Sequence, residues 1–312
     1  MSTGGAALVA GSVRARALVR RCIGPAAARR VALCHTLGAA LDILASTPYG
    51  RDVRPGQGLD EAQEAVAATL LWHLRVLAGW QPGRAVATLR ALAGWFEISD
   101  VERRLRQPGR PVRYRVGALA TATPRLARAG TVDEVRAALA ASAWGDPGEA
   151  GAHAVALSMR LAWAQGVAAL PAARAWACGG AALLVARERW TTGRPLPAQV
   201  ERRAAALLGP RALRSGSLAG FAAALPRWAA WPFPDITAAV DLWRGETRWW
   251  RRLERDGRSL LNDWRFGEGA ALGAAATLAV DAWRTRAALA CAADGGASAD
   301  FDVIAMPGPL GG

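Results

Sequence analysis

Apolar residues recur along the chain at helical spacing, and strictly alternating stretches are scarce. From Leu59 they run Leu59, Ala62, Val66, Leu70, Leu74 and Leu77, steps of three and four that gather them on one helix face. Gly79, Pro82 and Gly83 stop that helix. A second helix from Arg84 is predicted to end at Trp95, because Leu77-Ala78-Gly79-Trp80 recurs as Leu92-Ala93-Gly94-Trp95, and the pair reads as a helical hairpin. Further helices are predicted over 132–139, 154–170, 172–190, 197–208, 218–225, 236–262 and 270–293. Loops are expected where Pro and Gly gather, at 48–58, 107–111, 145–151, 191–197 and 231–234. The tail from Asp294 is rich in Gly, Ala and Ser and reads as loose, with Phe301, Val303 and Ile304 as residues able to dock. The pattern predicts an all-α protein.

One helical phrase repeats. Residues 124–131 read P-R-L-A-R-A-G-T, residues 210–217 read P-R-A-L-R-S-G-S, and a looser copy ends at Thr36. Thr36, Thr131 and Ser217 each carry the side-chain oxygen that caps a helix, and each is followed eight residues on by leucine, at Leu44, Leu139 and Leu225. Laid over one another, Thr36 and Thr131 continue to match past the helix: Ser46-Thr47-Pro48-Tyr49-Gly50 falls on Ala141-Ser142-Ala143-Trp144-Gly145. The third copy departs after Leu225 into Pro226, Trp228, Trp231, Pro232 and Pro234. Steps of 95 and 86 residues are too long for a short-repeat solenoid and suit three similar globular sub-domains, drawn at 1–115, 116–196 and 197–294 with the loose tail at 295–312. The alternative is chance likeness in a sequence rich in alanine and arginine.

Composition adds a partner class. All 39 basic residues are arginine, and the net charge of +14 favours acidic proteins, anionic lipid heads or nucleic acid. The longest charge-free apolar stretches, 161–173 and 175–186, fall short of the roughly 18 residues that a spanning helix needs. Arg14, Arg16, Arg20 and Arg21 follow the N-terminal apolar run, the reverse of a secretory signal, so a cytoplasmic protein is expected. Cys22, Cys34, Cys178 and Cys291 have neither metal-type spacing nor the density of a disulfide framework, and they read as small core residues.

Candidate chemistry is sparse. Gly267-Glu268-Gly269-Ala270-Ala271-Leu272-Gly273 satisfies a loose dinucleotide pattern, but residues 258–266 read as a helix end and turn where a strand is required, so the glycines are assigned to the start of an alanine-rich helix. His35, His73 and His153 stand far apart, with no metal or triad spacing, and no catalytic, cofactor-binding or metal-binding constellation is assigned. The cluster Trp243-Arg244, Trp249-Trp250-Arg251-Arg252 and Arg255 has the residue types of a single-strand nucleic-acid surface. Interleaved Glu246, Glu254 and Asp256 favour an ordinary helix face instead, with Trp243, Trp250 and Leu253 in the core.

Ordered details resemble one family. Arg14-Ala15-Arg16-Ala17-Leu18 closes an opening helix with an R-x-R-x-L pattern; Leu44-Ala45-Ser46-Thr47-Pro48-Tyr49 follows as a second-helix exit; residues 95–106 set an aromatic before Asp100, Arg103 and Arg104; and Trp283-Arg284-Thr285-Arg286 lies in a closing helix. This series resembles the C-type central-stalk subunits of the archaeal/vacuolar-type (A/V-type) rotary ATPases, relatives of the eukaryotic d-type subunits of V-type ATPases, as a divergent bacterial member. The family's asparagine and lysine near 103–106 and its closing E-x-x-N-L-R are missing.

The resemblance implies a funnel of three helical sub-domains that catalyses nothing and needs no cofactor. It implies a place on the cytoplasmic face of the membrane rotor ring, in peripheral contact with the membrane through that ring, where the chain receives the tip of the central shaft and couples rotation to proton or sodium transport. Ring and shaft subunits are then the partners, and nucleic acid is not expected. Candidate contacts are the arginines of the family-like segments: Arg14, Arg16, Arg103, Arg104, Arg106, Arg284 and Arg286. Two readings from other classes stand beside it, a basic all-α nucleic-acid-binding or regulatory protein and an all-α enzyme.

Overall fold

The computed structural model of the chain describes residues 3–107, 111–148, 151–263, 267–296 and 298–306. Every regular element among these residues is helical. In chain order they are α1 (Thr3–Val19), α2 (Gly24–Ala32), α3 (Leu37–Ala45), α4 (Leu59–Ala78), α5 (Gly83–Arg106), α6 (Thr123–Leu126), α7 (Val132–Ala140) and α8 (Ala152–Ala168). They continue as α9 (Arg174–Ala186), α10 (Ala198–Leu208), α11 (Pro210–Leu213), α12 (Leu218–Ala224), α13 (Arg227–Ala230), α14 (Leu242–Asn262), α15 (Glu268–Ala293) and α16 (Ser298–Ala305).

The all-α class holds, and several helix ends differ from expectation for visible reasons. α5 runs through Leu92-Ala93-Gly94-Trp95 to Arg106. No proline follows Trp95 as Pro82 follows Trp80, and Gly94 is the place where Trp144 and Trp163 rest on the helix, so that a Cβ there would lie 3.0 Å from the Trp144 ring. α14 begins at Leu242 and not near 236, because Asp235 takes a left-handed turn (φ 60°) and Arg248 holds the carbonyls of Pro232 and Pro234. The helix expected over 172–190 ends in a wide π turn, Arg187–Thr191. Residues 108–110 and 149–150 of two expected loops, and 264–266 ahead of α15, lie outside the described residues.

The chain divides into two compact units, Met1–Leu89 with Trp250–Gly312, and Arg90–Trp249. The boundaries drawn at 115 and 196 both fall inside the second. In the first unit α15 is the axis, and α1, α2, α3, α4 and α16 all pack on it. Alanine and glycine cover most of its circumference, and at Gly273 an added Cβ would stand 2.7 Å from the Gly257 carbonyl, so α14 and α15 meet almost backbone to backbone. That contact is the role of the last glycine in the dinucleotide-like run. The tail is not loose over 298–305: α16 buries Phe301 and Ala305 in the core with α2 and α15, and Asp302 pairs with Arg29 at 2.8 Å, while Val303 and Ile304 remain exposed.

In the second unit α8, α10 and α13 pack on α9, and the C-terminal half of α5 carries α6 and α7. Trp249 donates its indole N–H to the Trp176 carbonyl at 2.7 Å.

Candidate functional site

The repeat forms at the level of individual hydrogen bonds. Thr36, Thr131 and Ser217 each accept from the backbone N–H three residues on, at Ala39, Glu134 and Gly220, and Glu134 accepts in turn from the Thr131 N–H to complete a capping box. Past the helix the first two copies repeat one exit. Thr47 Oγ1 donates to the Leu44 carbonyl and accepts from the Tyr49 N–H; Ser142 Oγ donates to the Leu139 carbonyl and accepts from the Trp144 N–H. Buried residues coincide as well: Val31 with Leu126, Ala40 with Val135, Leu44 with Leu139 and Tyr49 with Trp144.

Each aromatic then meets a buried carboxylate on a long helix. Tyr49 donates its hydroxyl to Asp281 Oδ2 on α15 at 2.8 Å, and Trp144 donates its indole N–H to Glu97 Oε2 on α5 at 2.8 Å. Both acids also hold the start of the helix before the cap. Asp281 accepts from the N–H groups of Ile23 and Gly24, at the start of α2, and Glu97 accepts from those of Thr121, Ala122 and Thr123, at the start of α6. A carboxylate at a helix N-terminus satisfies donors that have no partner inside the helix and opposes the positive end of its dipole. Each latch therefore fastens both ends of a two-helix repeat to its axis. Burial raises the pKa of Asp281 against these hydrogen bonds, and burial beside Asp281 raises those of Tyr49 and Cys22.

The third copy keeps the cap and the buried positions, with Phe221 and Leu225 in place of Val135 and Leu139. Among the described residues no carboxylate closes it. Arg189 instead donates to the carbonyls of Leu213 and Ser215 at the end of α11, much as Arg104 donates to those of Leu126 and Ala129 at the end of α6.

Most of the seven candidate contact arginines are occupied within the chain. Arg16 caps the end of α14 through the carbonyls of Leu261 and Asp263, and Arg103 reaches Asp100 and the Pro111 carbonyl. Arg104 serves α6. Arg284 is only 3 % exposed; it pairs with buried Glu254 at 2.9 Å and donates to the Ala305 carbonyl, tying α14, α15 and α16 together. Arg14 lies over the exposed Trp80 ring at 5.6 Å, and Arg286 donates to Gln63 Oε1 at 3.5 Å. Arg106 is exposed and has no partner among the described residues. Arg106 and Arg286 are thus exposed, Arg14 is half-buried, and Arg284 is buried.

The tryptophan–arginine cluster of α14 is likewise drawn into the fold. Trp249 lies against α9, Trp250 stacks on Trp283 with centroids 4.5 Å apart, and Arg251 donates to the Val303 carbonyl. Trp243, expected in the core, is 38 % exposed beside Arg244. The sequence pattern alone gave the carboxylates Asp281, Glu97 and Glu254 no role as anchors, although a lone acid inside an apolar helical run, as in residues 270–282, is a signal that could have found the first.

His73 is buried, and its pKa is pushed down to about 4 by desolvation and by the charges of Arg21 and Arg51. His153 meets buried Glu188 at 2.9 Å within the π turn. A cavity of about 10 Å³ beside Glu97, Asp100, Arg104 and Thr123 has room for one water molecule. Among the described residues no three His, Cys, Asp or Glu side chains converge as metal ligands, and no helix is long and apolar enough to cross a membrane. No family model matches the chain, and no curated protein matches it.

Proposed function

We propose that this chain is a non-catalytic central-stalk component of a V/A-type rotary ATPase, joining the membrane rotor ring to the central shaft on the cytoplasmic face and transmitting torque for proton or sodium transport. The observation that carries the reading is the recurrence of one latched hairpin, Tyr49 on Asp281 and Trp144 on Glu97, within a chain whose ordered motifs resemble the C-type stalk family. A torque coupler must not yield under load. Sliding either hairpin along its axis would strip several hydrogen bonds from a buried carboxylate, and an uncompensated buried charge is costly. Close helix contact through alanine and glycine adds to that stiffness.

Charge supports an acidic partner. Residues 90–249 hold 22 arginines against 12 acidic residues, a net charge of +10, whereas the rest of the chain holds 17 against 13. Arg106, Arg128, Arg211, Arg214 and Arg227 of the second unit are exposed and have no hydrogen-bond or ion-pair partner among the described residues. The test is co-purification of the tagged protein from its native membranes in mild detergent, with the accompanying chains identified by mass. Ring and shaft subunits in the eluate are the expected result. Nucleic acid without those subunits would reject the coupling role and favour the basic nucleic-acid-binding reading.

A further inference from the structure

The first unit carries a basic, aromatic face that nothing in its own core requires. Gln81 donates to the Gly11 carbonyl at 2.9 Å, Arg14 lies over Trp80 at 5.6 Å, and Arg21 lies over Trp72 at 5.8 Å. Sequence numbers rise along one helix as they fall along the other, so α1 and the end of α4 run antiparallel with an arginine of α1 or its exit set against a tryptophan at two levels. Val13 and Trp80 are 58 % and 53 % exposed, and Arg20, just past α1, and Arg75, on α4, are exposed and without a partner among the described residues. α1 contains no acidic residue, and the acids of α4, ending at Glu64, lie roughly 12 Å or more along the axis from Trp72. Asp52, near Trp72, is engaged by Arg51 and by the Thr69 hydroxyl; Asp281 is held by the backbone after Arg21; and Asp263 meets α1 at Arg16, which donates to its carbonyl.

We propose that this α1/α4 face binds the anionic headgroup surface of a lipid bilayer. Guanidinium groups pair with lipid phosphates, while an exposed indole and an aliphatic side chain suit the boundary between headgroups and acyl chains. Two features favour lipid over single-stranded nucleic acid. Trp72 is occupied by Arg21, by Arg51 at 4.6 Å and by an edge contact to His73, and Trp80 carries Arg14, so a stacking base would compete with a guanidinium at each ring. Val13 has no counterpart in a phosphate-and-base surface. The inference needs no partner protein and stands apart from the coupling role.

The test is co-sedimentation of the full-length protein with phosphatidylcholine vesicles containing phosphatidylglycerol, against phosphatidylcholine alone. Expected are binding that requires the anionic lipid and weakens with salt, and a loss of about five-fold for each arginine removed, so that Arg14→Gln with Arg21→Gln binds about twenty-five-fold less tightly. Brominated lipid should quench part of the tryptophan fluorescence, and Trp80→Phe should abolish that part. Arg20→Gln with Arg75→Gln, at exposed positions, repeats the test should the first pair fail to fold. Sedimentation indifferent to phosphatidylglycerol, unchanged binding in a folded double variant, or arginine-dependent binding of a single-stranded oligonucleotide without vesicle binding would each overturn the proposal.

Discussion

At the scale of single residues, the two latches turn a sequence likeness into a measurable one. Tyr49→Phe removes one hydrogen bond from buried Asp281 and leaves the ring in place, and a loss of about 1.5–3 kcal/mol in chemical denaturation is expected. Trp144→Phe takes the equivalent bond from Glu97 and opens space beside Gly94, so its loss should be at least as large. His73 gives a pH signature. Its folded pKa of about 4 lies below the ordinary 6.5, so the unfolded chain binds the proton first as pH falls. The stability that neutral His73 contributes is complete above about 6.5 and is lost toward about 4, on the order of 3 kcal/mol in all. Stability–pH curves of the wild type and His73→Gln should converge across that window; parallel curves would show the imidazole to be protonated in the fold.

Among elements, the arginines separate into two kinds that look alike in sequence. Arg284 and Arg286 lie two residues apart on α15, which places them on opposite sides of the helix. Arg284→Met takes one charge-assisted hydrogen bond from buried Glu254, which keeps Arg258 at 2.6 Å, and frees the Ala305 carbonyl, and it should cost about 1.5–3 kcal/mol. Arg286→Ala, at the surface, should change the unfolding free energy by less than about 0.5 kcal/mol. Helix caps were legible because Thr36, Thr131 and Ser217 act within three residues of themselves. The extent of α5 was not, since the motif ending at Trp95 stops a helix only when a proline follows and no larger ring fills the place above its glycine.

For the whole molecule, the uneven charge of the two units sets an expectation for assembly. The proposed association with ring and shaft subunits should weaken as ionic strength rises, and Arg128→Glu with Arg214→Glu should weaken it at low salt without lowering the melting temperature, as scored by subunit recovery on gel filtration. Both residues are exposed and unpaired among the described residues, at equivalent positions of the second and third repeats. Division into units followed contacts that sequence distance conceals. The first repeat is completed by Asp281, 232 residues beyond Tyr49, and this return of the C-terminal helices to the N-terminal ones puts the boundaries at 89 and 249.

Sequence by itself determined the helical class, the three capped copies, the shared serine or threonine exit and the excess of arginine, because capping, turn chemistry and amphipathic spacing all act over a few residues. Tertiary structure decided which arginines are used internally, which acids close the latches, how the tail docks and where one unit ends. Those outcomes depend on which side of a helix meets a neighbour hundreds of residues away, and an alanine-rich helix apolar on nearly every side, such as α15, carries no periodicity to announce it.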